Sequence, residues 1–338
     1  MMTKFKLLFY PLLLVCSIFL IQSCSSSDDD SENPTNPVKL DQKINFTTEA
    51  TPGSEITIGV AGYQTNKPMR IDWGDGTFVD VKTNEDAIVK GSVKGKNISI
   101  LYDNFDEIHL TKAKITSIDF QNSPNLKQIA LDQNLLTSVD FSKTPIAEHI
   151  YLSDNKIAKL DLSKLPKLFG LGANNNLLTS IDLSLNPELR NLDISGNKLT
   201  TLDISKNPEM FGISFNFNDI TSINLSQNPN LVQLNAVNNT KIAKIDFTKN
   251  TKLRYFDLSG TTVTTLDLSK NPELEQISLS TKSITAAKLL EIIKVLPTRT
   301  TTGKGTYYTT QSEHATTAVK TAFRAKNWDL RLSGQIVN

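Results

Sequence analysis

The chain has 338 residues, 38% hydrophobic and 21% charged, the composition of a globular protein rather than a disordered or fibrous one. Its 36 basic and 35 acidic residues nearly cancel, which argues against nucleic acid as a partner. With only two cysteines, a disulfide framework cannot be the source of stability, so packing must be.

In chain order, Lys4 and Lys6 precede an apolar run from Leu7 to Ile21, shorter than the roughly 20 residues that span a bilayer and of signal-peptide length. The run ends in Ile21-Gln22-Ser23-Cys24, which resembles the lipobox of bacterial lipoproteins. That resemblance implies cleavage of residues 1–23 and a lipid on Cys24. Cys16 and two lysines leave with the signal, so the mature balance is near minus one. Ser25 to Asp30, SSSDDD, is similar to the surface-export signal of Bacteroidetes lipoproteins, and Ser25 beside Cys24 fits outer-membrane sorting. Residues 24–39 then read as an acidic, proline-containing tether.

Residues 40–103 change to alternating strands with turns at Pro52-Gly53 and Gly74-Asp75-Gly76. Asp72 to Thr77, DWGDGT, resembles the signature turn of PKD-type β-sandwich modules. Some 60 residues is short for a whole module, so the stretch is expected to be a small β cap.

From residue 104 to 283 the chain repeats itself. Ile115, Leu136, Ile157, Leu178, Leu199, Ile220, Ile242, Val263 and Ile284 stand in one column, 21 residues apart except for one spacing of 22. Such a period means a solenoid. The half-unit Leu189, Leu192, Ile194, Asn197, Leu199 matches the leucine-rich repeat, and a degenerate first copy is Phe105, Ile108, Leu110, Ala113, Ile115. The other half, L-T-x-L-D-L-S-x-N-P, is similar to a short bacterial variety. Together they imply a right-handed solenoid of about nine coils, an α/β solenoid that is mostly β. Alternation in the second half predicts a short outer strand in place of a helix.

Three columns follow from the period. Asn134, Asn155, Asn176, Asn197, Asn218 and Asn239 are expected to be buried and bonded to backbone, with Thr261 and Lys282 replacing them where the stack closes. Prolines 124, 145, 166, 187, 208, 229 and 272 mark a corner. Asp119, Asp140, Asp161, Asp182, Asp203, Asp246 and Asp267, with Asn224, form an outer ladder whose repulsion lysines or turn donors must offset. No calcium-binding repeat accompanies it.

The concave strand supplies the candidate site. Its outward positions carry His109, His149, Tyr151, Gly172, Asn191, Asp193, Asn235, Tyr255 and Asp257, and no Lys or Arg, which excludes a phosphate-reading face. Amides, hydroxyls and two tyrosines suit a peptide backbone or a glycan. Gly170, Gly172 and Gly212 leave a low floor, while Phe169, Phe211 and Phe217 are expected to plug the sheet rims. His109 and His149 should lie roughly 11 Å apart, too far to share one metal ion.

Residues 284–338 are expected to form an α/β cap: a helix at Ile284 to Pro297 capped by Thr285, a strand near Thr306, a helix from Ser312 to Lys326 and a strand at Trp328 to Leu332. The resulting expectation is a non-catalytic, monomeric surface lipoprotein without cofactor or metal, held in the outer membrane by its N-terminal lipid, that binds a protein or peptide. The alternatives are a glycan-binding accessory lipoprotein of polysaccharide uptake and a structural envelope protein.

Overall fold

The computed structural model describes residues 40–61, 68–82, 86–103, 105–300 and 302–337. The signal peptide, Cys24, the acidic run and the tether lie outside the described residues.

Six strands come first: β1 (Gln42–Thr48), β2 (Glu55–Ala61), β3 (Pro68–Asp72), β4 (Phe78–Lys82), β5 (Asp86–Ser92) and β6 (Asn97–Tyr102). Alternate burial along β1 and β6 follows from alternating sequence, since successive side chains of a strand point to opposite faces. Asp72 shapes the turn after β3: its Oδ1 accepts the N–H groups of Gly74, Asp75 and Gly76 at 2.8, 3.1 and 3.0 Å. Gly74 has φ +106, and a Cβ there would lie 2.5 Å from the Gly95 carbonyl oxygen, so only glycine fits.

These strands join the first coil on both sides. Its inner strand β7 (Glu107–His109) pairs with β2, Val60 opposite Ile108. Its outer strand β8 (Ile115–Asn122) pairs with β1, Phe46 opposite Ile118. The cap is therefore two layers, each completed by the repeat. One is the sheet β4-β3-β6-β1-β8, the other the N-terminal end of the long sheet.

That long sheet runs through β9 (Gln128–Ala130), β10 (His149–Tyr151), β11 (Gly170–Gly172), β12 (Asn191–Asp193), β13 (Gly212–Ser214), β14 (Gln233–Asn235), β15 (Tyr255–Asp257) and β16 (Gln276–Ser278) in parallel. The central residue of each strand, from Ile108 to Ile277, is buried in one continuous core.

The expected asparagine column is present. Asn176 Oδ1 accepts Ile157 N–H at 3.0 Å, and its Nδ2 donates to Leu152 and Ala173 carbonyls at 2.9 and 3.2 Å. A second ladder escaped the sequence reading, which took the N-P corner for its proline alone. Asn186, Asn207, Asn228, Asn250 and Asn271 are fully buried. Each Nδ2 donates to carbonyls of the preceding coil; Asn207 reaches Leu183 O at 3.0 Å and Asn186 O at 2.8 Å.

Beyond the first coil, the expected outer strands do not form. Segments such as 178–183 belong to no strand and carry no ladder. Only isolated bonds link them, such as Lys198 N–H to Leu178 O at 2.8 Å. A strand requires a paired neighbour, and among the described residues only β8 has one, in β1. The outer Asp column is held by turn donors: Asp182 Oδ1 accepts Ser184 N–H, and Asp203 Oδ1 accepts Ser205 N–H, both at 2.9 Å. The Ser184 hydroxyl and then its N–H hold Asp182 below the usual carboxylate range despite neighbouring Asp161.

Nor does the sheet close at Lys282. It continues in parallel into β17 (Gly305–Thr309) and β18 (Trp328–Leu332), then turns back in β19 (Gln335–Ile336). Helix α1 (Ala286–Val295), capped by the Thr285 side chain, connects β16 to β17. The second expected helix is split: a 3-10 turn at Ser312–Ala315 precedes α2 (Thr317–Ala325), capped by Thr316. Buried His314 pins this cap, with Nδ1 3.1 Å from the Tyr307 hydroxyl and Nε2 2.6 Å from Ile284 O.

Candidate functional site

Each three-residue strand buries its centre and turns its two flanking side chains to one face of the long sheet, the face expected to be concave. Strict register then lines these flanks into two rows. One runs Glu107, Gln128, His149, Gly170, Asn191, Gly212, Gln233, Tyr255, Gln276; the other His109, Ala130, Tyr151, Gly172, Asp193, Ser214, Asn235, Asp257, Ser278. All nine candidate residues stand in these rows: His149, Asn191 and Tyr255 in the first, His109, Tyr151, Gly172, Asp193, Asn235 and Asp257 in the second.

At the N-terminal end, Glu107 Oε2 lies 3.3 Å from His109 Nε2 and accepts Gln128 Nε2 at 3.1 Å. His149 stacks beside Tyr151, with ring centroids 6.4 Å apart and planes 11° apart, and tilts against Phe169 at 5.4 Å. Burial lowers the His149 pKa. A Cβ at Gly170 would come 2.9 Å from His149 Nδ1. Gly170 is thus not open floor, because the His149 ring lies over it.

At the C-terminal end Tyr255 is tied down. Its hydroxyl donates to Glu275 Oε2 at 2.8 Å, Arg254 reaches Glu275 Oε1 at 2.5 Å and Arg299 at 3.4 Å. Burial alone would raise the pKa of Glu275, but these three donors outweigh it and hold the carboxylate below its usual range. Burial, then Glu275, raises the pKa of Tyr255. Arg254 and Glu275 stand just before their strands, a position the sequence reading left out when it found the strands free of basic residues.

Outward residues just past the strands form a ladder of their own. Asp132 Oδ1 accepts Ser153 N–H at 2.8 Å, Ser195 Oγ accepts Asn216 N–H at 3.1 Å, and Asn216 Oδ1 accepts Val237 N–H at 2.7 Å. These groups are occupied by scaffold bonds. In the middle, Asp193 Oδ1 accepts Ser195 N–H at 3.0 Å, the same bond that Asp203 makes to Ser205. The two aspartates of the repeated quartet LDIS therefore share a backbone role and differ in surroundings. Burial raises the pKa of Asp193 and of Asp257, which is only 5% exposed, whereas Asp203 is held low by Ser205.

The phenylalanines do not plug the rims as a set. Phe169 is half-buried with the Arg190 guanidinium 5.1 Å from its ring centroid, but Phe211 is 46% and Phe217 59% exposed. Among the described residues no group of three or more His, Cys, Asp or Glu side chains could hold a metal ion.

With the coil period, the parallel strand ladder and the buried asparagine column in place, the fold is settled. This chain is a leucine-rich-repeat solenoid. No protein-family model and no curated protein matches its sequence. Solved structures of similar fold include the functional domain of InlJ from Listeria monocytogenes, at 23% identity and TM-score 0.48, covering 65% of this chain and 52% of that one. A leucine-rich-repeat protein of Leptospira interrogans matches at 23% identity and TM-score 0.48, covering 51% of this chain and 47% of its own. Internalin C2 of Listeria monocytogenes matches at 16% identity and TM-score 0.46, covering 52% of this chain and 80% of its own. The solenoid thus spans about half the length of the first two.

Proposed function

We propose that this protein is a non-catalytic recognition lipoprotein that binds a protein or peptide partner on the strand face of its solenoid. The observation that carries the reading is the pair of registered rows: amide, carboxylate and aromatic side chains held at fixed spacing on a sheet whose backbone is already bonded, a surface ordered before it meets a partner. Catalysis lacks support because a nucleophile needs a base within reach: His109 bonds Glu107 and Gln128, and His314, which does meet the Tyr307 and Thr309 hydroxyls, is fully buried as a structural pin. The lipobox and acidic run place the protein, on this proposal, at the outer membrane through a lipid on Cys24 and on the cell surface. A glycan ligand is the alternative, favoured by the near-parallel His149 and Tyr151 rings.

The test has two arms. Cys24→Ala should prevent membrane attachment, and replacing Asp28, Asp29 and Asp30 by Ala should leave attachment intact while reducing cleavage by protease added to whole cells. In the second arm, Tyr151→Ala and Asn235→Ala should each weaken binding of a captured partner by about 1–2 kcal/mol, Gly172→Arg should occlude the face, and Asp203→Ala should change nothing. Unchanged affinity for all three strand-face variants would move the site to one of the caps.

A further inference from the structure

One coil departs from the others in two ways that a purely structural role does not explain. The residue before each position of the asparagine column, including Ala113 and Thr261 at its ends, adopts a left-handed backbone: Lys112, Gln133, Asp154, Asn175, Gly196, Phe217, Asn238 and Gly260 have φ between 52° and 74°. That geometry lets its N–H reach the next coil, as Phe217 N–H reaches Val237 O at 2.7 Å. Five of these eight are Gly, Asn or Asp, the types that tolerate positive φ, two more are polar, and Phe217 alone is apolar. Phe217, at φ 52 and 59% exposed, combines backbone strain with an uncovered aromatic ring. Phe211, six residues earlier on the same coil, is 46% exposed. Neither ring has an aromatic or cationic neighbour among the described residues.

The two phenylalanines bracket β13, no more than about 20 Å apart along the chain. Between them the face is low, since β13 presents only Gly212 and Ser214, both buried. Asp193 stands directly beside Ser214 in register, with Asn191 and Asn235 on either side of the coil. The charge here is uncompensated. At the strand entrances each arginine has its carboxylate, Arg190 with Glu209 at 3.5 Å and Arg254 with Glu275 at 2.5 Å. Asp193 and Asp257 have no cationic partner among the described residues, although both are largely withdrawn from water. A desolvated carboxylate without a counter-ion is costly and gains most from an incoming cation.

We propose that the coil Met210 to Phe217 is the anchor point of the strand face and takes a lysine- or arginine-bearing segment of a partner protein, its cation against Asp193 and its neighbouring apolar groups on Phe211 and Phe217. This rests on the reading that the strand face binds a protein. It gives a role to a strained, exposed Phe standing where Asn or Gly serves in neighbouring coils: the ring is covered only in the complex, and the backbone strain is tolerated for that contact.

The test uses the mature chain and a peptide array of 15-residue sequences spanning net charges from negative to positive, with an oligosaccharide array in parallel. Peptides carrying Lys or Arg should be retained preferentially. Phe217→Asn, which installs the residue found at 175 and 238, should reduce retention tenfold or more while raising the melting temperature. Phe211→Ser and Asp193→Asn should each reduce it at least fivefold, and Leu185→Ser, which removes another exposed apolar residue, should not. Retention independent of peptide charge, or Phe217→Asn binding as wild type, overturns the proposal. So does binding confined to oligosaccharides. In any of these cases, loss of binding in Tyr151→Ala or Gly172→Arg would keep the strand face as the site, and unchanged binding there would remove it as well.

Discussion

Asn176 and Asn207 are both buried asparagines that donate to carbonyls of the solenoid, yet the structure assigns them very different worth. Truncating Asn176 to Ala removes four bonds, but does not orphan four partners: Asn174 O keeps Asp154 N–H at 2.9 Å. Leu152 O also accepts Asn155 Nδ2 at 3.0 Å, and Ala173 O also accepts Asn197 Nδ2 at 3.0 Å. The group left with nothing is Ile157 N–H, whose acceptor is Asn176 Oδ1. One orphaned buried donor costs about 1–3 kcal/mol, or a fall in melting temperature of roughly 2–10 °C for a chain of this size class. Asn207→Leu orphans nobody: Leu183 O keeps Asn186 N–H and Asn186 O keeps Leu189 N–H, both at 3.1 Å. It also removes an Oδ1 that is buried without a partner, and the same column already holds buried Leu165. That change should therefore cost less than about 1 kcal/mol. Urea titration of both variants, with the slope against urea checked for constancy, measures the contrast. Asn207→Leu proving as damaging as Asn176→Ala would refute the claim that redundancy of acceptors sets the worth of each ladder.

Three further predictions concern stability. Burial raises the pKa of Asp193 and Asp257 above the ordinary 3.8, so the folded state holds its proton longer than the unfolded state. Stability is then lost as pH rises from 3.8 through the raised folded value. Asp257→Asn should be more stable than wild type at neutral pH and equal to it below 3.8; a gap independent of pH would contradict this. Asp161, lowered first by Ser163 N–H, should show the opposite sign, with Asp161→Asn less stable at neutral pH and converging with wild type as pH falls through the depressed value. Separately, a Cβ on Gly305 would lie 2.3 Å from the buried Trp328 ring, so Gly305→Ala should cost about 1–3 kcal/mol or more by overpacking, read as a lower urea midpoint.

What the sequence made legible was whatever repeats locally. The period placed the buried column from Ile115 to Ile284, the asparagine ladder from Asn134 to Asn239, and all nine candidate residues on one face. The second ladder from Asn186 to Asn271 was equally periodic, but its proline neighbours drew the attention. Features that depend on a distant partner were not legible. Alternation predicted outer strands, yet a strand is defined by its neighbour, and only Ile115–Asn122 finds one, in a segment 70 residues earlier. The left-handed position was visible as a column, but nothing in composition marks Phe217 as adopting the same backbone as Gly196. Exposure of Phe211 and Phe217 likewise depends on what fails to cover them.

Continuity of the long sheet at both ends changes how the face can be read. Within the repeats the outward rows carry acid and no Lys or Arg, from Glu107 through Asp193 to Asp257. The second row does not stop at Ser278, however, because register carries it on to Tyr308 and Arg331, with the Arg331 guanidinium 5.9 Å from the Tyr308 ring centroid. A cation is thus present on the face, three strands beyond Asp257, at the C-terminal end. The first row ends on the same strand in Asp329, whose charge is met by Lys304 at 3.1 Å, so a partner that meets Asp193 with a cation gains further only if an acidic group of its own reaches Arg331 itself. Charge polarity of this kind sets orientation and encounter rate more than affinity, which leaves the hydrophobic hold to Phe211 and Phe217.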